Sequence, residues 1–100
     1  MRVIAVSHLK AFWLLHPDAQ APLRAWLETV RPARWAQPTD ITATFTTASV
    51  LKSRRVVFNI KGNDYRLVVA VAYRFGAIYV KFIGTHAEYD KIDADTVEVP

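Results

Sequence analysis

The sequence predicts a small α+β domain: a first strand, two helices, a three-stranded antiparallel meander and a short C-terminal helix. Three observations predict it. Apolar residues recur at helical spacing in the first third of the chain, with Leu23, Trp26, Leu27 and Val30 forming one stripe. From Arg55 the apolar period becomes two, with Val56, Phe58 and Ile60 alternating against Arg55, Val57 and Asn59. Turn chemistry then joins the strand-like runs by connections too short for a crossover, so neighbours are antiparallel. The chain of 100 residues makes one domain, 1–100. Its 52% hydrophobic content supports a core without disulfides, and it has no cysteine.

Each element follows from local chemistry. Residues 2–6 are rich in β-branched side chains and read as a strand. Ser7 is a candidate N-cap for a helix carrying Leu9, Phe12, Trp13 and His16. Pro17 ends that helix, because it disfavours helical angles at His16. Asp18 opens the second helix, Pro22 fits only its first turn, and Arg31 and Pro32 mark its end. Pro38, Thr39 and Asp40 suit the cap of a short helical turn over residues 41–45, in a segment whose Thr content argues equally for irregular structure. Lys61, Gly62, Asn63 and Asp64 form a turn in which Gly62 and Asn63 tolerate positive φ. Residues 65–74 are apolar on nearly both sides, which places that strand centrally. Phe75, Gly76 and Ala77 lead into a last strand over 78–84. Thr85 with Glu88 is a capping box for a helix over residues 86–92, and the acidic tail from Asp93 should fray.

Charge is segregated. Residues 52–81 carry Lys52, Arg54, Arg55, Lys61, Arg66, Arg74 and Lys81 against Asp64 alone. Residues 82–100 carry Lys91 against Glu88, Asp90, Asp93, Asp95 and Glu98. A cationic sheet suits a polyanion, because each Lys or Arg placed at a phosphate releases counterions. The N-terminus has no continuous apolar stretch of signal-peptide type, and the longest apolar run, 67–73, is too short for a bilayer. A cytoplasmic protein without membrane partners is the expectation. No Cys or His spacing suits zinc, no Gly-rich loop suits a nucleotide, and no Ser stands in a nucleophile elbow.

Period two places Arg66, Val68, Ala70, Ala72 and Arg74 on the face opposite Tyr65, Leu67, Val69, Val71 and Tyr73. Tyr79 and Lys81 point together, away from Ile78, Val80 and Phe82. Arg66 and Lys81 can therefore meet on a face left open by the helices, where a guanidinium grips phosphate through parallel hydrogen bonds. At the sheet's end, His86 can act as base or acid and Tyr89 lies on the same helix face. Asp90 can orient the imidazole from four residues on.

The runs RVVFNIKGNDYRLV (55–68) and FIGTHAEYD (82–90) together resemble the HigB toxins of bacterial type II toxin–antitoxin systems, within the RelE-like superfamily. The resemblance spans roughly residues 3–93. It implies a RelE-like fold and a ribosome-dependent mRNA endoribonuclease, an mRNA interferase that arrests growth. It implies neutralisation by a HigA-type antitoxin, with operator DNA contacted only through the antitoxin complex. It further implies cleavage without metal or other cofactor, by 2′-OH attack on the adjacent phosphate. The matched catalytic positions are Arg66, Lys81, His86, Tyr89 and Asp90. Arg66 and Lys81 are assigned to the phosphorane, His86 or Tyr89 to proton transfer, and Asp90 to positioning. Lys52, Arg54, Arg55, Lys61 and Asn63 are assigned to RNA docking. A non-catalytic RNA-binding or protein-interaction module with a basic sheet face is the alternative reading.

Overall fold

A computed structural model describes residues 1–99. Strand β1 (Arg2–Ile4) leads into helix α1 (Val6–Leu15), a 3-10 turn at Pro17–Ala19 and helix α2 (Gln20–Val30). Helix α3 (Pro38–Thr44) precedes strands β2 (Ser49–Val50), β3 (Arg55–Ile60), β4 (Tyr65–Ala72) and β5 (Ala77–Thr85), and helix α4 (His86–Tyr89) follows. The sheet has five strands in the order β1-β5-β4-β3-β2. The three long strands form the predicted antiparallel meander with β4 central, while β1 pairs parallel with the start of β5. The fold class is α+β, as the sequence implies.

The core lies between the helices and one sheet face. Leu9, Phe12, Leu23, Trp26, Leu27, Val30 and Ile41 from the helices meet Val56, Phe58, Leu67, Val69, Ile78 and Val80 from the strands. The cross-strand pairs Val56–Val69 and Phe58–Leu67 give this face its apolar rows. Truncating a fully buried member such as Leu67 to Ala removes about 2–5 kcal/mol.

Three local expectations are corrected and one strand is added. Ser7 is not the cap of α1: the cap lies two residues earlier, at Ala5 in the left-handed region at φ 71°, without a side-chain hydrogen bond. The second helix begins with a 3-10 turn before α2, and Asp18 sits in that turn. The 61–64 turn has positive φ at Lys61 and Gly62, which frees Asn63 for another task. The two-residue strand β2 is too short to show any alternation in sequence.

The largest correction concerns the sheet face away from the helices. It is not open along its length. Val57 and Val68 on that face are buried, as are Arg55 and Arg66. The acidic segment after α4, read from sequence as frayed, lies over the Arg55 end of the face instead. Arg55 donates to the carbonyls of Ala94 at 3.2 Å and Val97 at 2.5 Å. Opposite charges draw the tail onto the sheet, Glu98 lying 43 residues from Arg55 and 17 from Lys81 in sequence.

Candidate active site

The β3–β4 hairpin builds the first half of the site. Ile60 pairs with Tyr65, so the four residues between them make the turn. Arg66 follows on the face away from the helices, across from Asn59 and Gly84. Its guanidinium folds back onto the turn, donating to the Asn63 carbonyl at 3.0 Å, the Tyr65 carbonyl at 3.2 Å and the Asn63 side-chain oxygen. The Arg66 side chain is buried, yet among the described residues no carboxylate pairs with it. Neutral acceptors satisfy its N–H groups while leaving its charge uncompensated, an arrangement that is costly unless an anion visits.

The end of β5 and helix α4 build the second half. The predicted capping box is present: the Glu88 amide donates to Thr85 Oγ1 at 3.1 Å and the Thr85 amide to Glu88 Oε1 at 2.8 Å. The His86 amide donates to the Asp64 carbonyl at 2.9 Å, tying α4 to the turn that holds Arg66. Tyr89 thereby stands with its ring centre 6.0 Å from the Arg66 guanidinium carbon. Phe82 completes the group, its ring 6.4 Å from that of Tyr89. His86 is more exposed and faces Asp90, Nε2 to Oδ1 being 3.6 Å, which becomes an ion pair when the imidazole is protonated.

A β-bulge explains why Phe82 is here. Val68 pairs with Phe82 but Val69 pairs with Val80, so Lys81 is an extra residue on β5. The insertion flips the alternation beyond it. Phe82, expected on the helix side, turns to the Arg66 face, and Lys81 remains near Tyr79, its Nζ 5.9 Å from that ring centre. Gly84 is required beside it: a Cβ there would lie 2.5 Å from the Phe82 ring. Nothing in the sequence marks the bulge.

Arg66 and Tyr89 are thus brought together, with Lys81 further along the same face. Lys81 is already engaged, donating to Glu98 at 2.7 Å. The docking residues divide. Lys52 and Arg54 are exposed; Arg55 is buried under the tail; Lys61 donates to Asp18 at 2.6 Å; Asn63 holds Arg66. The Lys61 and Tyr65 hydrogen bonds keep the Asp18 carboxyl below its ordinary range.

One cationic surface escaped the sequence reading. A cleft of about 810 Å³ at the opposite end of β4 is lined by Arg2, Arg31, Arg34 and Arg74 with Trp35 and Tyr73, and no acid lines it. These arginines are scattered over the chain, and only the packing of α2 against the sheet's end gathers them. For metals, no group of three His, Asp or Glu side chains converges among the described residues.

Residues 19–92 match the model of the HigB toxin family, described as the RelE-like toxic component of a toxin-antitoxin system. The mRNA interferase toxin HigB of Escherichia coli (strain K12) is 28% identical over 92 residues, which cover 90% of this chain and 88% of that protein. The mRNA interferases HigB of Escherichia coli O157:H7 and Shigella flexneri align with the same identity and coverage.

Proposed function

The chain belongs to the HigB family of RelE-like toxins, and we propose that it is an endoribonuclease that cuts translated mRNA by attack of a ribose 2′-OH on the adjacent phosphate. The observation that carries the mechanism is the Arg66–Tyr89 pair: a buried guanidinium with no acid partner among the described residues, beside a phenol. In-line attack forms the P–O2′ bond through a dianionic phosphorane and breaks the P–O5′ bond, with the 2′-OH proton lost to a base and the departing 5′-oxygen protonated by an acid; a pre-placed cation is suited to the developing charge. Arg66 takes this role, since turn carbonyls fix its position without cancelling its charge. Tyr89 is the proton-transfer group nearest the reacting phosphate. His86, oriented by Asp90, is the second one, placed at the exposed rim. Lys81 adds charge on the same face. No metal is needed in this scheme.

The partners follow from the same surfaces. Single-stranded message lies along the Arg66 face. The arginine cleft and the exposed Lys52 and Arg54 suit structured RNA, and we assign them to ribosome docking. A HigA-type antitoxin is the neutralising partner, through which alone the toxin meets operator DNA. The site of action is the cytoplasm.

Arg66→Gln tests the mechanism. Cleavage of translated message should fall roughly 10²–10³-fold, mapped by the 5′ ends of transcripts after induction, while thermal unfolding stays cooperative. A fully active, folded Arg66→Gln chain would remove the assignment. Chelation should leave cleavage unchanged, and stripping ribosomes from the assay should abolish it.

A further inference from the structure

We propose that Arg55 and Lys81 form a second phosphate subsite for RNA, and that residues 93–99 are its built-in competitor, with the Glu98 carboxylate filling it in the free protein. The inference rests on the RNA reading above and concerns how that same face is loaded.

Glu98 spans two cations. Its Oε1 lies 3.1 Å from an Arg55 nitrogen and its Oε2 lies 2.7 Å from Lys81 Nζ. A phosphodiester presents the same pattern, two anionic oxygens on one centre, and both cations accept either ligand. The Lys81 hydrogen bond first, and then the charges of Lys81 and Arg55, hold the Glu98 carboxyl below its ordinary range, so it is an anion.

The subsite lies on the track that the reading requires. Arg66 sits across from Gly84, Lys81 bulges opposite the Val68–Val69 step, and Arg55 sits across from Ala70. The three cations stand in that order along β4, Arg66 and Ala70 being four residues or about 13 Å apart. An extended strand bound at Arg66 and continuing along β4 meets Lys81 and Arg55 next, where Glu98 already sits.

The tail is attached in a way that can be undone. It contains no helix or strand after α4. Its own backbone bonds run from the Thr96 and Val97 amides to the Asp93 carbonyl. Its polar ties to the sheet are the Arg55 contacts, the Lys81–Glu98 pair and an exposed bond from Ser53 to Asp95, and Val99 adds a partly buried apolar contact with the core. Glu98 is 57% exposed, so its pairs are screened by salt and weak individually. A polymer offering several phosphates competes well against one such carboxylate.

The test compares the wild-type chain with Glu98→Gln in binding a fluorescent single-stranded 2′-O-methyl oligoribonucleotide at fixed salt. The blocked 2′-OH prevents cleavage, so binding is read apart from chemistry. Glu98→Gln should bind roughly tenfold tighter, and adding Lys81→Gln should remove most of that gain. In the wild type, the Thr96 and Val97 amides should lose hydrogen-exchange protection at saturating RNA. Equal or weaker binding by Glu98→Gln overturns the proposal. Should that variant melt early, the exchange measurement decides: amides that stay protected in the wild-type complex overturn it. Equal binding by both chains overturns the proposal and leaves the RNA reading standing, whereas no binding by either sinks the RNA reading with it.

Discussion

Arg55 and Arg66 are both buried arginines on one face of one sheet, and they are used in opposite ways. Arg55 has an acid, Glu98, and two tail carbonyls; among the described residues Arg66 has only neutral oxygens from its own turn and an aromatic ring nearby. The first charge is occupied by the tail in the free protein. The second is fixed in place but left uncompensated. Burial alone therefore does not tell an occupied cation from a vacant one; the sign and number of its partners do.

The sharpest way to break the comparison is to remove the unpaired charge. Arg66→Gln should lower cleavage by roughly 10²–10³-fold, as for loss of a transition-state donor, and Arg66→Lys should recover only part of it, because an ammonium cannot keep the three turn contacts and still face a phosphate. Single-turnover cleavage by the purified chain with programmed ribosomes measures both.

Asn63→Asp would turn Arg66 into a second Arg55. The substitution places a carboxylate where the amide oxygen now accepts from the guanidinium. The pair should raise resistance to urea slightly while cutting cleavage on the order of 10–100-fold, since the charge is then neutralised before substrate arrives. Unchanged activity would show that the absence of an acid beside Arg66 is incidental.

Gly84→Ala disturbs the aromatic wall instead of the charge. The added methyl would lie 2.5 Å from the Phe82 ring and 3.2 Å from Glu88 Oε1, so the ring or α4 must shift. Overpacking of this kind costs about 1–3 kcal/mol. Cleavage should fall about tenfold with the Tyr89 ring displaced from Arg66, and paired Phe82→Ala should restore part of the stability but not the activity. Denaturant unfolding and cleavage measured together separate the two effects.

These variants also show where sequence reading succeeds. The meander, the central place of β4, the Thr85–Glu88 box and the side on which Arg66 stands all follow from signals within a few residues of each other, such as period two or a cap spacing of three. The proximity of Tyr89 to Arg66 could be read because a short turn and a short helix leave little freedom. Three features were illegible for the opposite reason. The Lys81 bulge arises from fitting β5 to β4 and has no Gly or Pro to announce it. The Glu98 contacts join residues 17 and 43 positions apart, and composition reports such charges only as a tail. The arginine cleft is assembled from the N-terminus and β1, the segment that follows α2 and the connection between β4 and β5.

The smallest predicted effect concerns a charge pair at the opposite corner. Asp18 accepts from Lys61 at 2.6 Å and from the Tyr65 hydroxyl, which pins the β3–β4 hairpin to the turn before α2. Its folded carboxyl titrates below the ordinary value of 3.8, chiefly through the Lys61 bond and then the Tyr65 bond. A depressed carboxylate adds stability that is fully present above the unfolded value and is lost as pH falls through the folded one. The wild-type urea midpoint should therefore decline from about pH 4 downward, and Asp18→Asn should show a flatter decline over the same interval. The pair is half exposed, so the difference should be small and should shrink further in salt. Arg66 keeps its contacts to Asn63 and Tyr65 in that variant, so cleavage at neutral pH should stay near wild type. A large loss of activity would mean that the hairpin, and not only its turn, must be clamped for Arg66 to meet the phosphate.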